Sequence, residues 1–412
     1  MTTTAERRAP AALAVARKTL QRPLASYQLV LGVTALLLGL GLIMVLSASS
    51  VLAYDLYDGD SFYIFNRQAT FAALGIVGAV IASRVPIGLI RGSVYYVLGI
   101  VFVLICLTLV PGIGVEVNNN RNWLPLFAGF NIQPSEFAKL AMVLWVADLF
   151  ARKERRLNEP KHVLIPMVPV TVVISLLVIL QKDLGTAIVL FALILGMLWV
   201  AGLPGKYMGG VFMALAVVAL GLVAATPHHV TRLTNFLDPM SDPDKSGFQS
   251  VHGLMALATG QFWGVGLGAS RQKWGTLPEA HTDFILAVIG EELGLFGTIV
   301  VLILFGMLAY TGVRIASRTK DPFVHYAAAG ITIWVMSQAV INIGMVLGLL
   351  PVIGLPLPFI SYGGSSLLTT LIAMGLLVNF AKTEPGAKRA LAAGRKRRKG
   401  SIKNRLPRIQ RG

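Results

Sequence analysis

Cysteine is almost missing from this chain: Cys106 is the only one in 412 residues. A lone thiol excludes an intrachain disulfide and a thiolate metal cluster. Placed in an apolar run, it reads as a small packing residue. Charge is scarce as well. Only 13% of the residues are Asp, Glu, Lys or Arg, where a soluble domain carries about 25%. No HExxH, CxxC or Walker pattern occurs. An ATP-driven pump is therefore not expected, and the energy for any work must come from the substrate itself or from an ion gradient. Met1–Arg22 is basic and polar, and the first apolar run is long enough to remain as a span, so no cleavable signal peptide is expected.

What the chain has in abundance is hydrocarbon. It is 55% hydrophobic, with a mean hydropathy of +0.71. Apolar runs of about 20 residues recur along its length, each able to cross a bilayer. They fall near 27–48, 68–82, 94–110, 135–150, 163–180, 186–202, 208–225, 283–314, 326–350 and 360–381. The expected fold is an all-α polytopic membrane protein of about ten transmembrane helices. It divides into a basic N-terminal segment (1–26), a transmembrane domain (27–381) and a basic, disordered tail (382–412). One long extracytoplasmic loop, 227–282, lies between the seventh and eighth spans, and a loop of that length is usually functional or disordered. A non-apolar insert, Pro111–Pro134, separates the third and fourth spans.

The net charge of +17 does not point to nucleic acid. Most Lys and Arg sit on alternate loops and in the tail, where Arg395–Lys399 is basic throughout. By the positive-inside rule both termini are cytoplasmic, and the tail touches anionic membrane lipid. The long loop and the start of the eighth span then face outward.

That boundary, Leu277–Gly294, runs from a polar loop into an apolar segment and carries Asp283, Glu291 and Glu292. Carboxylates in such a place are costly and are functional candidates by default. Asp283 reads either as an N-cap, accepting from free helix N–H groups, or as a chemical group. Thr282 beside it could serve as the cap instead. Eight residues of helix would put Asp283 and Glu291 near one face, about 12 Å apart along the axis. A partly desolvated carboxylate has a raised proton affinity, which suits a general base. His281 and Thr282 join it as candidate substrate contacts.

Glu136 and Lys139, spaced i and i+3, share a helix face near the outer end of the fourth span. They form either a structural ion pair or an ammonium facing a cavity and an anionic substrate. Arg121 in the insert and Lys182 at the next outward corner lie on the same side. Together these cations could line a pyrophosphate site and stabilise a leaving group. Asp183 could pair with Lys139, cap the sixth span or help hold a cation. Gly260–Gly268 lacks a strand–helix context and reads as tight packing between membrane segments. In Pro356–Ser366, prolines and glycines break a helix entrance and expose backbone beside a cavity. There Ser361, Ser365 and Ser366 either bond a polar head group or pack as small residues.

Several stretches together resemble the SEDS family (shape, elongation, division and sporulation). They are Gln133-Pro-Ser-Glu-Phe-Ala-Lys139, Asp183-Leu-Gly-Thr186, Gly264-Val-Gly-Leu-Gly268, Leu277–Gly294, Asn342–Pro351 and Pro356–Ser366. The resemblance covers about Tyr27 to Ala381. It departs at Lys182, where the family has proline, and at Leu286, where phenylalanine is common. It implies a peptidoglycan glycosyltransferase of the bacterial cell membrane that polymerises lipid II on the outer face at the division septum. Its implied partners are a class B penicillin-binding protein and other division proteins. The family's catalytic aspartate falls on Asp283 and its Glu–Lys pair on Glu136 and Lys139. Asp283 would deprotonate the acceptor GlcNAc 4-hydroxyl, and Arg121 and Lys139, with a divalent cation (Mg or Mn), would neutralise the departing undecaprenyl pyrophosphate. The rivals are a lipid II flippase, whose charges would line a translocation path, an elongation-type polymerase, and a non-enzymatic scaffold.

Overall fold

In the computed structural model the described residues are 24–393, apart from 118–119, 126–128, 158, 226–235, 237–246, 275–276, 388 and 392. The N-terminal segment up to residue 23, most of the first third of the expected outer loop and the tail beyond 393 thus lie outside them.

The helices are α1 (Ala25–Leu56), α2 (Tyr63–Ala82), α3 (Ile87–Leu109), α4 (Pro134–Arg152), α5 (Pro160–Leu180), α6 (Leu184–Val200) and α7 (Gly205–Ala225). They continue with α8 (Phe248–Gly260), α9 (Ile285–Arg318), α10 (Pro322–Val346) and α11 (Gly364–Ala381). Among the described residues, seven of these are long and apolar enough to cross a membrane. α4 is not one of them because it carries Glu136, Lys139, Asp148 and Arg152. It tolerates them by being interior: every residue from Pro134 to Phe150 except Phe137 is buried. Charge near mid-membrane survives only inside protein. α10 and α11 are also mostly interior, whereas α3 presents most of its surface outward.

Three expectations change. First, the loop between the seventh and eighth spans is not all loop, since α8 occupies Phe248–Gly260. Its apolar positions are too few for a span, so hydropathy missed it. Second, the insert after α3 holds a small antiparallel sheet of β1 (Val115–Val117), β2 (Asn120–Pro125) and β3 (Asn131–Ile132). Third, the tail does not leave the bundle at Lys382. Glu384 is buried between Arg314 and Arg318, and Ala387 is buried beside it.

The eighth span departs furthest from its pattern. α9 begins at Ile285, so Asp283 lies in the turn before it rather than at its cap. At Gly294 the backbone takes φ 68° and ψ −166°, which divides α9 into a short piece and a long one. Only glycine adopts such a conformation readily. The break is stitched by main-chain bonds to the segment after α8: Val265 and Gly266 donate to the Glu291 and Glu292 carbonyls, and Leu295 and Phe296 to those of Gln261 and Phe262. A Cβ on Gly260 would lie 1.8 Å from the Gly290 oxygen, and one on Gly264 2.2 Å from the Glu292 oxygen. The glycines between 260 and 268 therefore allow backbone to meet backbone.

Basic groups gather at one end of the bundle. Arg91 and Arg152 meet Asp148 there, Arg314 bonds Ser26, and Lys382 donates to the Ser83 carbonyl. Asp283 and the corner before α11 lie at the other end.

Candidate active site

The floor of the Asp283 end is the Pro351–Gly363 corner, a run with no helix or strand. Its backbone polar groups need partners, and buried side chains from two helices and from the corner itself supply them. Asn342 of α10 donates to the Leu355 carbonyl at 2.7 Å. Gln338, one turn earlier, donates to the Pro356 carbonyl at 2.9 Å. Gln68 of α2 donates to the Ser361 carbonyl and accepts from the Gly363 N–H. The Ser361 hydroxyl accepts from the Leu357 N–H at 2.7 Å. An irregular segment at membrane depth is tolerated because protein satisfies it.

Asp283 is locked to this corner. Its carbonyl accepts from the Asn342 amide at 2.8 Å. Its Oδ2 lies 3.5 Å from where a Cβ on Gly354 would stand, so the carboxylate leans over a glycine. Two residues earlier, the His281 carbonyl accepts from the Tyr362 N–H at 2.9 Å, and the two rings lie 5.5 Å apart. Burial pulls the His281 imidazole below its ordinary 6.5, against a weaker upward pull from Glu279. At neutral pH the imidazole, two residues before Asp283, is uncharged. Thr282 turns away from the helix and bonds the carbonyl and carboxylate of Glu279, at 3.0 and 2.5 Å.

The other carboxylates do not join Asp283. Glu291 accepts from the Ser270 hydroxyl and the Arg271 N–H, at 2.5 and 3.0 Å. Glu292 accepts from Ser47 of α1 at 2.7 Å and lies 3.9 Å from Lys273. Both are fully buried and clasp the 268–273 loop. The expected acidic face running from Asp283 inward is therefore absent: α9 starts after Asp283, and Glu291 and Glu292 turn to the 268–273 loop.

Lys139 and Glu136 pair at 2.6 Å with side chains 0% and 3% exposed. Lys139 also donates to Gln338 Oε1 at 2.9 Å and lies over the Trp334 ring. Its ammonium faces protein, not an open cavity. Through Gln338 it nonetheless supports the corner at Pro356. Asp183 caps α6 by accepting from the Thr186 N–H at 3.0 Å, and it also takes Gln133 and Ser135 of the α4 start. It does not meet Lys139. Ser365 accepts from the Gln133 N–H at 2.9 Å, and Ser366 lies 3.4 Å from Gln338 Nε2. Ser361, Ser365 and Ser366 are all buried, which matches packing and corner-bonding. Arg121 sits on β2, two-fifths exposed, with Glu116 at 3.4 Å. Lys182 is exposed at φ 64°. No group of three or more His, Cys, Asp or Glu able to hold a metal ion exists among the described residues.

Two contributors escaped sequence reading. Gln338 looks like an ordinary polar interruption of an apolar span, and Asn342 stood only as the first residue of the Asn342–Pro351 stretch, with no role assigned to it. Their signal was their four-residue spacing on one face, beside a Pro/Gly corner that needed donors.

Residues 27–385 match the FtsW/RodA/SpoVE family model, described as cell cycle protein. The chain is 45% identical over 376 residues to the probable peptidoglycan glycosyltransferase FtsW of Mycobacterium tuberculosis, covering 91% of this chain and 71% of that one. It is 40% identical over 352 residues to stage V sporulation protein E of Bacillus subtilis, covering 85% and 95%. Its fold is similar to that of the rod shape determining protein RodA of Thermus thermophilus, with a TM-score of 0.63 at 25% identity over 86% and 97% of the two chains. It is also similar to a chain of a peptidoglycan synthase complex that coordinates polymerization and crosslinking, with a TM-score of 0.69 at 26% identity over 86% and 97%.

Proposed function

The chain belongs to the FtsW/RodA/SpoVE family of cell cycle proteins, and on that premise we propose that its Asp283 cleft polymerises lipid II into glycan strands for the septal wall. The protein is a peptidoglycan glycosyltransferase of the membrane. Asp283 takes the proton from the 4-hydroxyl of the acceptor GlcNAc. The freed oxygen attacks the anomeric carbon of the donor MurNAc with inversion, and undecaprenyl pyrophosphate leaves with the electron pair of the broken bond.

The observation that carries this reading is where Asp283 is held: half-buried, in the turn before α9, with its main chain tied to the Pro351–Gly363 corner by Asn342. Glu291, Glu292, Glu136 and Asp183 are each committed to named hydrogen bonds inside the protein. Asp283 lies apart from all four, its carboxylate Oδ2 3.5 Å from where a Cβ on Gly354 would stand. A general base needs a fixed carboxylate within reach of the proton it removes. Neutral His281, two residues before it, adds no competing charge. Arg121 is the cation assigned to the pyrophosphate. Sealed Lys139 is assigned to holding the cleft floor through Gln338.

Partners follow from the same family. A class B penicillin-binding protein supplies crosslinking, which is supported by likeness to a chain from a complex that couples the two activities. Other division proteins assemble with it at the septum. Both termini are assigned to the cytoplasm, supported by the basic end of the bundle opposite Asp283.

The test is purified full-length protein, with its partner, on labelled lipid II. Wild type makes glycan chains in detergent, which a pure flippase cannot. Asp283→Asn loses polymerisation by roughly 10²–10⁴-fold at unchanged thermal stability. An active, well-folded Asn variant removes the assignment.

A further inference from the structure

The surface between α3 and α5 carries a groove of about 430 Å³, lined by Tyr95, Gly99, Phe102, Pro169, Val173 and Ile174 among others. It is almost wholly apolar and opens on the bilayer-facing side, where Tyr95, Phe102 and Val173 are exposed. Three residues shape it. Pro166 and Pro169 lie inside α5, and an internal proline removes a helix hydrogen bond and bends the axis away. Gly99 leaves the floor bare: a Cβ built there meets nothing within 4 Å.

At the basic end of the bundle the groove meets charge. The Arg152 guanidinium lies 5.5 Å over the ring of Tyr95, a groove residue. Arg152 and Arg91 both hold Asp148, each at 2.6 Å, yet their own side chains are 55% and 37% exposed while Asp148 is fully buried. Two arginines share one carboxylate, so the pair keeps a surplus positive charge and free N–H donors at the surface. Lys153 and Lys161 lie close by in sequence, at the α4 end and the α5 start.

We propose that this is a binding site for an anionic phospholipid of the leaflet at the basic end. One acyl chain fills the groove between Tyr95 and Ile174, and the headgroup phosphate is held by Arg152 and Arg91. Arginine suits this task because its planar fork pairs with two phosphate oxygens at once. Charge complementarity selects this occupant over a partner helix, which would meet two exposed cations at the groove mouth. It also selects against the prenyl chain of the substrate, whose pyrophosphate belongs at the opposite end, beside Asp283. A seated lipid wedges α3 against α5 and α4, and α4 carries Lys139 under the active cleft.

The experiment uses the full chain in neutral detergent and measures retained lipid by native mass spectrometry after adding phosphatidylglycerol, phosphatidylcholine or undecaprenyl phosphate. Wild type retains phosphatidylglycerol over phosphatidylcholine by about fivefold or more, the worth of one cation near an anionic group. Arg152→Gln brings the two lipids to parity, with Arg91 still on Asp148 to keep the fold, and Arg152→Lys restores part of the preference. Gly99→Leu fills the open floor and lowers retention of both. The proposal is overturned if wild type shows no preference, if Gly99→Leu retains phosphatidylglycerol as wild type does, or if undecaprenyl phosphate displaces phosphatidylglycerol from wild type but not from Gly99→Leu. None of these readings depends on polymerisation, so they stand or fall apart from the role of Asp283.

Discussion

The amide of Asn342 holds the main chain of Asp283: one nitrogen donates to the Asp283 carbonyl at 2.8 Å and to the Leu355 carbonyl at 2.7 Å. A single buried side chain thus joins the turn that carries the carboxylate to the corner beneath it. Asn342→Ala leaves two carbonyls without this donor, and a buried group left unsatisfied costs about 1–3 kcal/mol. The expected result is a lower melting temperature and a loss in kcat greater than any change in KM, because the base is displaced rather than the substrate released. Steady-state kinetics on lipid II separate the two parameters. A variant with lowered stability and wild-type kcat would confine Asn342 to the fold.

Lys139 and Glu136 are a sealed pair on α4, and Gln338 accepts from both Lys139 and Trp334. Removing one member strands a buried charge, at a cost of about 3–5 kcal/mol. Lys139→Met and Glu136→Gln should each destabilise strongly, and the double variant should lose much less than their sum. Thermal unfolding of the four proteins in detergent closes the cycle. Additive losses would show that the two groups do not depend on each other.

Gly294 has no tolerated replacement. Its φ of 68° disfavours any side chain, and a Cβ would fall 2.4 Å from the Gly264 nitrogen and 2.5 Å from the Phe262 oxygen. Gly294→Ala should unstitch α9 from the 261–266 segment and expose the Glu291 and Glu292 clasps. Proteolysis between residues 261 and 273 should accelerate in the variant; an unchanged cleavage rate counts against the stitch as a structural lock.

The acid side of the stability profile should carry His281. Its folded-state proton affinity lies below the ordinary 6.5 because burial disfavours the imidazolium. Below that pH the unfolded chain takes up the proton first, so stability falls as pH drops through 6.5 and is fully present above it. His281→Gln removes this contribution. Melting temperatures at pH 7.5 and 5.5 should differ more for wild type than for the variant, and equal differences would mean that another group titrates there.

Hydropathy alone placed most of the helices within a few residues, because a span must be long and apolar whatever surrounds it. Where it faltered, short-range signals were too weak. α8 is too short and mixed to stand out. Arg67 fell just before the expected second span, although α2 begins at Tyr63 and so includes it.

By itself, the sequence determined the class of fold, the family, the end at which basic residues gather and the carboxylate on which the reading turns, since composition, periodicity and motif are local properties. Which partners the buried carboxylates take was decided only in three dimensions. Glu291 meets Ser270, Glu292 meets Ser47, and Asp183 meets Gln133 across separations of 21, 245 and 50 residues. Such bonds arise because buried polar groups must find partners wherever the packed helices bring them, and no window along the chain contains both ends of the bond.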